Sequence, residues 1–315
     1  MYEFFSGGAV LLCGRHSEEQ CGFVLGAETE QGIRAFAKPN GTDTVHIESE
    51  DFGNFDIEIG DSEPKAEEAE TFAAIVRGIM NCFIESGNIF GGFDAKIASG
   101  IPSGSGISET SAFEVLIGKI ISGLFFENGV PPFRLAEFGK IAENDYFGNP
   151  CGIAEKMVCA FGGTVFADFS NPEMPFCQKI DSDFGKSGYT AAVITGKEKT
   201  DFLEDHIETE KNLSLVAWNM GHNVLNEGDE AELIAQFPIL RQKCGEKAVF
   251  AALDFYEETR RAQEEAKALM TGDFPEFIRV FEEAERTDLV FVLEEKAAEF
   301  AEEKEKEGFG VLFVL

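Results

Sequence analysis

Residues 93–124 constrain this chain more than any other stretch. Phe93 to Ala98 reads as a β-strand, and a glycine and serine loop follows at Gly100 to Gly106 (GIPSGSG). Phe113, Leu116, Ile117, Ile120, Ile121 and Leu124 then recur at the i, i+3, i+4 spacing of a helix with one buried face. A strand that passes through glycines and serines into a helix lets several backbone N–H groups converge at the helix N-terminus, where they and the helix dipole favour an anion. The loop lacks the Gly-Lys-Ser/Thr ending of a Walker A loop. On this pattern alone, a phosphate cradle of another kind and a plain glycine turn capped by Ser105 or Ser108 are both open.

Sheet and helix flank this unit on both sides. From Val10 to about Ile59, short strands broken by glycine are expected, with Asn40-Gly41 as a hairpin turn. Phe72, Ile75, Val76, Ile79, Met80 and Phe83 mark an amphipathic helix with an acidic first turn. Further helices are expected through FRLAEFGKIAENDYF and over about 152–161, then strands at GGTVFADF and YTAAVIT. A mainly helical stretch from about Leu213 to Ala301 and the apolar segment GFGVLFVL complete the chain. The fold class is α/β (α+β). Its 315 residues have room for roughly two domains, which the break before YTAAVIT divides into 1–184 and 185–315.

Charge narrows the partners. Lys+Arg 26 against Asp+Glu 58 gives a formal net charge of -32, which disfavours nucleic acid and anionic membrane surfaces. A nucleotide would have to enter with a divalent cation or meet a local pocket of N–H groups. The seven cysteines (Cys13, Cys21, Cys82, Cys151, Cys159, Cys177 and Cys244) form no CxxC pair and are odd in number, so reduced thiols in a cytoplasmic protein are expected. The N-terminus carries Glu3 and no Lys or Arg ahead of its apolar stretch, unlike a secretory signal. No apolar run approaches the ~18 residues of a membrane span.

A second constellation lies in AENDYFGNPCGIAEK. Glu143 and Glu155 sit on consecutive expected helices separated by a Gly-Asn-Pro-Cys-Gly turn, a layout able to bring both carboxylates to one cleft. One would suit a hard divalent cation through oxygen, the other a hydroxyl to be oriented or deprotonated. By spacing alone, surface acids on a very acidic chain are the expected reading.

Taken together and in order, IPSGSGISETSAFEVLIG and AENDYFGNPCGIAEK resemble the second signature loop and the following catalytic helix of galactokinases, members of the GHMP small-molecule kinase superfamily. GRHSEEQCGFVLGA resembles a worn form of the family's N-terminal sugar-binding signature. ETFAAIVRGI, GGFDAKIASGIPSGSG, and the stretch from FPILRQKCGEKAV through ALMTGDFPEFIRVF are similar to the clostridial branch, so the resemblance covers most of the chain. It implies a GHMP-kinase-like two-domain fold with the active-site cleft between the domains. The implied reaction is ATP-dependent phosphorylation of galactose at the anomeric hydroxyl, with Mg²⁺ as cofactor and a sugar and ATP as the small-molecule partners.

Carried over residue by residue, the resemblance implies Glu155 as the catalytic carboxylate, in place of a shorter aspartate. Sugar contacts fall on Arg15, His16, Glu18, Gly152 and His206. Nucleotide contacts fall on Gly104, Ser105, Gly106, Ser108 and Thr110, and metal ligands on Glu109 and Glu143. Several positions depart from the family pattern. Ala9 stands where the family has an arginine near the transferring phosphate, and Glu109 replaces a serine that reaches the magnesium ion. Lys156 replaces a glutamine; it is expected on the helix surface or paired with Glu155. The glycine-rich third signature is reduced to Gly308-Phe309-Gly310. These losses support an alternative, a catalytically impaired galactokinase-like protein that binds sugar or nucleotide as a sensor.

Overall fold

Apolar and β-branched residues open the chain as two long strands, β1 (Tyr2–Cys13) and β2 (Phe23–Pro39). These replace the short, glycine-broken strands expected there. The strand glycines serve close approach: a Cβ on Gly8 would lie 2.5 Å from the Ile107 carbonyl oxygen, and one on Gly32 would lie 2.4 Å from the Phe5 ring. The computed structural model describes residues 1–182, 184–196 and 202–315. The described chain divides into two compact units, Met1–Val10 with Glu28–Gly162, and Leu11–Ala27 with Gly163–Leu315.

In the first unit follow β3 (Thr44–Glu48), β4 (Phe55–Glu58), α1 (Phe72–Glu85), β5 (Phe93–Ser99), α2 (Glu109–Phe125), α3 (Pro132–Ile141) and α4 (Ala154–Phe161). The strands lie in the order β4-β3-β5-β2, with β1 also paired to β2. β5 runs antiparallel to β2, from Ile33 opposite Ser99 to Pro39 opposite Phe93, and parallel to β3. Asn40-Gly41 is therefore not a hairpin between neighbours, because β5 lies between the strands it joins. The chain entering β5 takes up the turn's backbone groups: Asn40 N donates to the Gly92 carbonyl at 3.1 Å and Gly92 N to the Thr42 carbonyl at 2.7 Å.

The two expected helical stripes form the core of this unit. On α1, Ile75, Val76, Ile79, Met80 and Phe83 are at most 1% exposed, and on α2 Phe113, Leu116, Ile117, Ile120 and Ile121 are fully buried. Each such side chain contributes on the order of 1.5–3 kcal/mol by leaving water. The acids expected in the first turn of α1 lie ahead of it, in a short 3₁₀ turn (Ala66–Glu68), and Thr71 caps the helix by accepting from Ala74 N. Between α3 and α4 the chain passes through a wider π-type turn (Ala142–Phe147), a form frequent at functional sites.

In the second unit, Phe23–Ala27 of β2 pairs with β6 (Thr164–Asp168), which pairs with β7 (Phe176–Ile180). Then come α5 (Phe184–Ser187), β8 (Tyr189–Thr195), α6 (Phe202–Met220), α7 (Glu230–Cys244), α8 (Glu246–Thr271), α9 (Phe274–Glu282), β9 (Leu289–Leu293), α10 (Ala297–Lys306) and β10 (Gly310–Phe313). The helical stretch starts before Leu213 and is interrupted by β9, which together with β10 flanks β8 in an antiparallel sheet. Leu213, Val216, Leu233, Leu240, Val249 and Phe255 form the core of α6, α7 and α8. No helix of the described residues is long and apolar enough to cross a membrane.

Candidate functional site

In the first unit, β5 delivers the chain into the loop at 100–108 and α2 carries it away. Gly104 and Gly106 have φ of 72° and 78°, the left-handed region that glycine enters at no steric cost. A Cβ on either would meet nothing within 4 Å, so the space beside them is open. Ser105 between them is 6% exposed, and its hydroxyl has no hydrogen-bond partner among the described residues. An orphaned buried hydroxyl costs about 1–3 kcal/mol, which a bound acceptor would recover, so these donors fit an anion. Ser108 sits at the helix N-cap with φ 56° and makes no capping bond through its side chain. Thr110 follows in the first turn of α2, half-buried.

Glu109 opens α2, but its carboxylate folds back to the end of β5, where Oε1 accepts from the Ser99 hydroxyl at 2.6 Å. Ala9, 1% exposed, donates its backbone N–H to the Ile107 carbonyl at 3.0 Å. A buried methyl on a strand that touches the loop thus stands at the position matched to the family's arginine.

Glu155 and Lys156 are consecutive on α4, about 100° apart around the helix axis, so they face different surroundings. Glu155 is half-exposed, and its carboxylate makes no hydrogen bond among the described residues. Lys156 is buried, at 1% exposure, which overturns both expectations for it: it lies neither on the helix surface nor paired with Glu155. Its Nζ lies 2.6 Å from Glu143 Oε2, 3.3 Å from Glu114 Oε2 and 3.4 Å from the Ser111 hydroxyl. Glu143 projects from the π-type turn, and its other oxygen accepts from Asn149 Nδ2 at 2.5 Å. Gly152 is buried in the turn that leads into α4.

The electrostatics of this group follow from its burial. Desolvation drives the Glu114 carboxyl well above the usual carboxylate range and outweighs the nearby ammonium. Burial also opposes charge on Glu143, but Lys156 and the Asn149 amide outweigh it and hold that carboxyl below its ordinary value. Desolvation disfavours the Lys156 ammonium, and the two carboxylates more than reverse this, raising it well above the usual lysine range. Lys156 and Glu143 form the closer ion pair of the group, at 2.6 Å, while burial weighs against charge on Glu114. Glu114 was hidden in the sequence by its place beside the apolar stripe of α2.

These donors do not fit the magnesium ion implied by the resemblance. A hard divalent cation needs several oxygens near 2 Å. Glu143 has one oxygen on an ammonium and the other on an amide, and Glu109 is engaged by Ser99.

In the second unit, Gly14 N donates to Glu258 Oε2 of α8 at 2.7 Å, and Glu258 pairs with Arg261, anchoring the segment that leads to Arg15 and His16. Arg15 meets Asp288 at 3.0 Å. His16, at φ 62°, places its Nδ1 3.0 Å from Nδ1 of His206. Glu18 is buried. Its neighbour Glu19 lies 3.4 Å from His206 Nε2 and raises that imidazole above its ordinary value, against partial burial. The short 3₁₀ turn at Glu18–Gln20 rotates successive side chains by about 120°, which separates Glu19 from Glu18.

Among the described residues, Glu19, His206 and Glu210 bring ligand atoms within 4.8 Å of one another. Glu210 follows His206 by one helical turn of α6, the spacing from which it is legible. A pocket of about 480 Å³ adjoins His16 and is lined also by Arg15, Lys247, Phe250, Asp254 and Glu258. Of the stretch TGKEKTDFLEDHIE, residues 197–201 lie outside the described residues.

The family model for the GHMP kinases N terminal domain matches residues 74–163, which contain the loop, Glu143 and Glu155. A galactokinase from Lactococcus lactis subsp. cremoris is 31% identical over 163 residues, 50% of this chain and 40% of that protein. The chain therefore spans less than half of that relative's length in the match. A galactokinase from Enterococcus faecalis is 25% identical over 282 residues, 87% of this chain and 71% of that protein. The crystal structure of Lactococcus lactis galactokinase complexed with galactose superposes with a TM-score of 0.82 at 20% identity, covering 99% of this chain and 92% of that one. At that identity the superposition speaks to the fold.

Proposed function

We propose that this chain, which is similar to GHMP kinases and among them to galactokinases, is a sugar kinase transferring the γ-phosphoryl group of ATP to the anomeric hydroxyl of galactose. The observation that carries the reading is the pairing of an open glycine loop bearing an orphaned buried hydroxyl, Ser105, with the uncommitted, half-exposed carboxylate of Glu155 in the same unit. In this reading the backbone N–H groups of Gly104 to Ser108 and the N-terminus of α2 receive phosphate oxygens. Glu155 accepts the proton of the sugar hydroxyl as that oxygen bonds to the γ-phosphorus and the bond from the γ-phosphorus to the β,γ-bridging oxygen breaks, releasing ADP. Arg15, His16, Glu18, Gly152 and His206 contact the sugar, and Thr110 flanks the phosphates. No step is assigned to a metal on Glu143, because that carboxylate is already paired. The seven free thiols support a reducing, cytoplasmic setting.

Lys156 on Glu143 and the buried methyl of Ala9 favour a second reading, in which the chain binds sugar or nucleotide without efficient turnover. Phosphorus NMR of the protein incubated with ATP, Mg²⁺ and galactose separates the two. An anomeric phosphate ester is the expected product. No ester, together with retained galactose binding by calorimetry, would replace the first reading with the second.

A further inference from the structure

The side chains of Glu114, Glu143 and Lys156 come from three different elements, α2, the π-type turn and α4, and meet in a sealed space. They are 0%, 5% and 1% exposed. The seal is tight: a Cβ on Gly139 of α3 would lie 2.8 Å from Glu114 Oε2. The ammonium bridges the two carboxylates at 2.6 Å and 3.3 Å and reaches the Ser111 hydroxyl at 3.4 Å, while Asn149 closes the remaining oxygen of Glu143. An oxygen-seeking dication entering here would have to displace a fixed cation from a space closed to water.

We propose that Lys156 is a resident cation that takes the place of a divalent metal ion at Glu143, so that the chain neutralises this carboxylate permanently instead of through an exchangeable ion. Any metal arriving on a nucleotide's phosphates gains no bond from Glu143. The inference concerns metal occupancy and holds whether or not phosphoryl transfer occurs.

Manganese titration of the full chain, followed by electron paramagnetic resonance without nucleotide, tests it in wild type, E143Q, K156Q and the K156Q/E143Q double variant. The acidic surface contributes the same weak background to all four. Wild type and E143Q are expected to bind Mn²⁺ alike within about twofold, whereas K156Q gains one site at least tenfold tighter than background and the double variant loses it again. A wild-type site weakened tenfold by E143Q overturns the proposal, as does a folded K156Q with no new site. Circular dichroism reports folding. If K156Q does not fold, the comparison of wild type with E143Q decides alone: equal binding sustains the proposal and a tenfold loss overturns it.

Discussion

The Lys156 ammonium lies 2.6 Å from Glu143 and 3.3 Å from Glu114, and it joins three segments of the first unit through one buried positive charge. Removing one partner from such a cluster leaves an uncompensated charge. K156M is expected to lower stability by about 3–5 kcal/mol in urea unfolding, and adding E143Q to K156M is expected to recover part of that loss. A K156M protein as stable as wild type would show that the cluster is not held by charge.

Gly78 on α1 faces the turn that carries Glu143. A Cβ there would lie 2.8 Å from both Cα and Cβ of Ala142 and 2.9 Å from the Tyr146 ring, so backbone must move. G78A is expected to cost about 1–3 kcal/mol by overpacking. Urea unfolding measures the loss, and an unchanged midpoint would contradict the contact.

Asp288 makes one pH-dependent contribution to the second unit. Burial opposes its charge, but Arg286 and Arg15 outweigh it and hold the carboxyl well below its ordinary value. A depressed carboxylate stabilises fully above its unfolded pKa of about 4, and that contribution is lost as pH falls through the folded value. D288N is expected to cost on the order of 1 kcal/mol at pH 7, since the side chain is 45% exposed and screened. The deficit relative to wild type should shrink only below about pH 4, in thermal melts across pH; a deficit constant to pH 2 would contradict the assignment.

Glu109 puts a carboxylate at the N-terminus of α2, where a phosphate would compete for the same N–H groups. E109S is expected to raise ATP affinity about two- to fivefold, the size of one charge against a helix dipole. Calorimetric titration checks this, and unchanged affinity would place the nucleotide elsewhere.

The elements that repeat a simple period were legible in the sequence. Ile75, Ile79 and Phe83 mark α1, and Phe113, Ile117 and Ile120 mark α2, because burial on one face of a helix writes itself at 3.6-residue spacing. The glycine loop before α2 was legible for the same local reason. Pairings between distant segments were not. Nothing in Asn40-Gly41 reveals that β5 inserts between β2 and β3, since that depends on strand order and not on turn chemistry. Lys156 looks like a surface lysine beside Glu155, because its partners are 13 and 42 residues away and charged residues leave no apolar stripe to read. Glu114 was overlooked for the same reason, and Glu19 because the turn at Glu18–Gln20, not the residue type, decides which acid faces His206.

A coupled ADP-release assay with Mg²⁺-ATP, run with and without galactose on wild type and E155Q, tests whether Glu155 drives phosphoryl transfer to the sugar. Galactose-dependent release is expected in the wild type, and E155Q is expected to abolish it while its circular dichroism spectrum is unchanged. Release equal to the sugar-free blank, or an E155Q rate equal to wild type, would contradict this expectation.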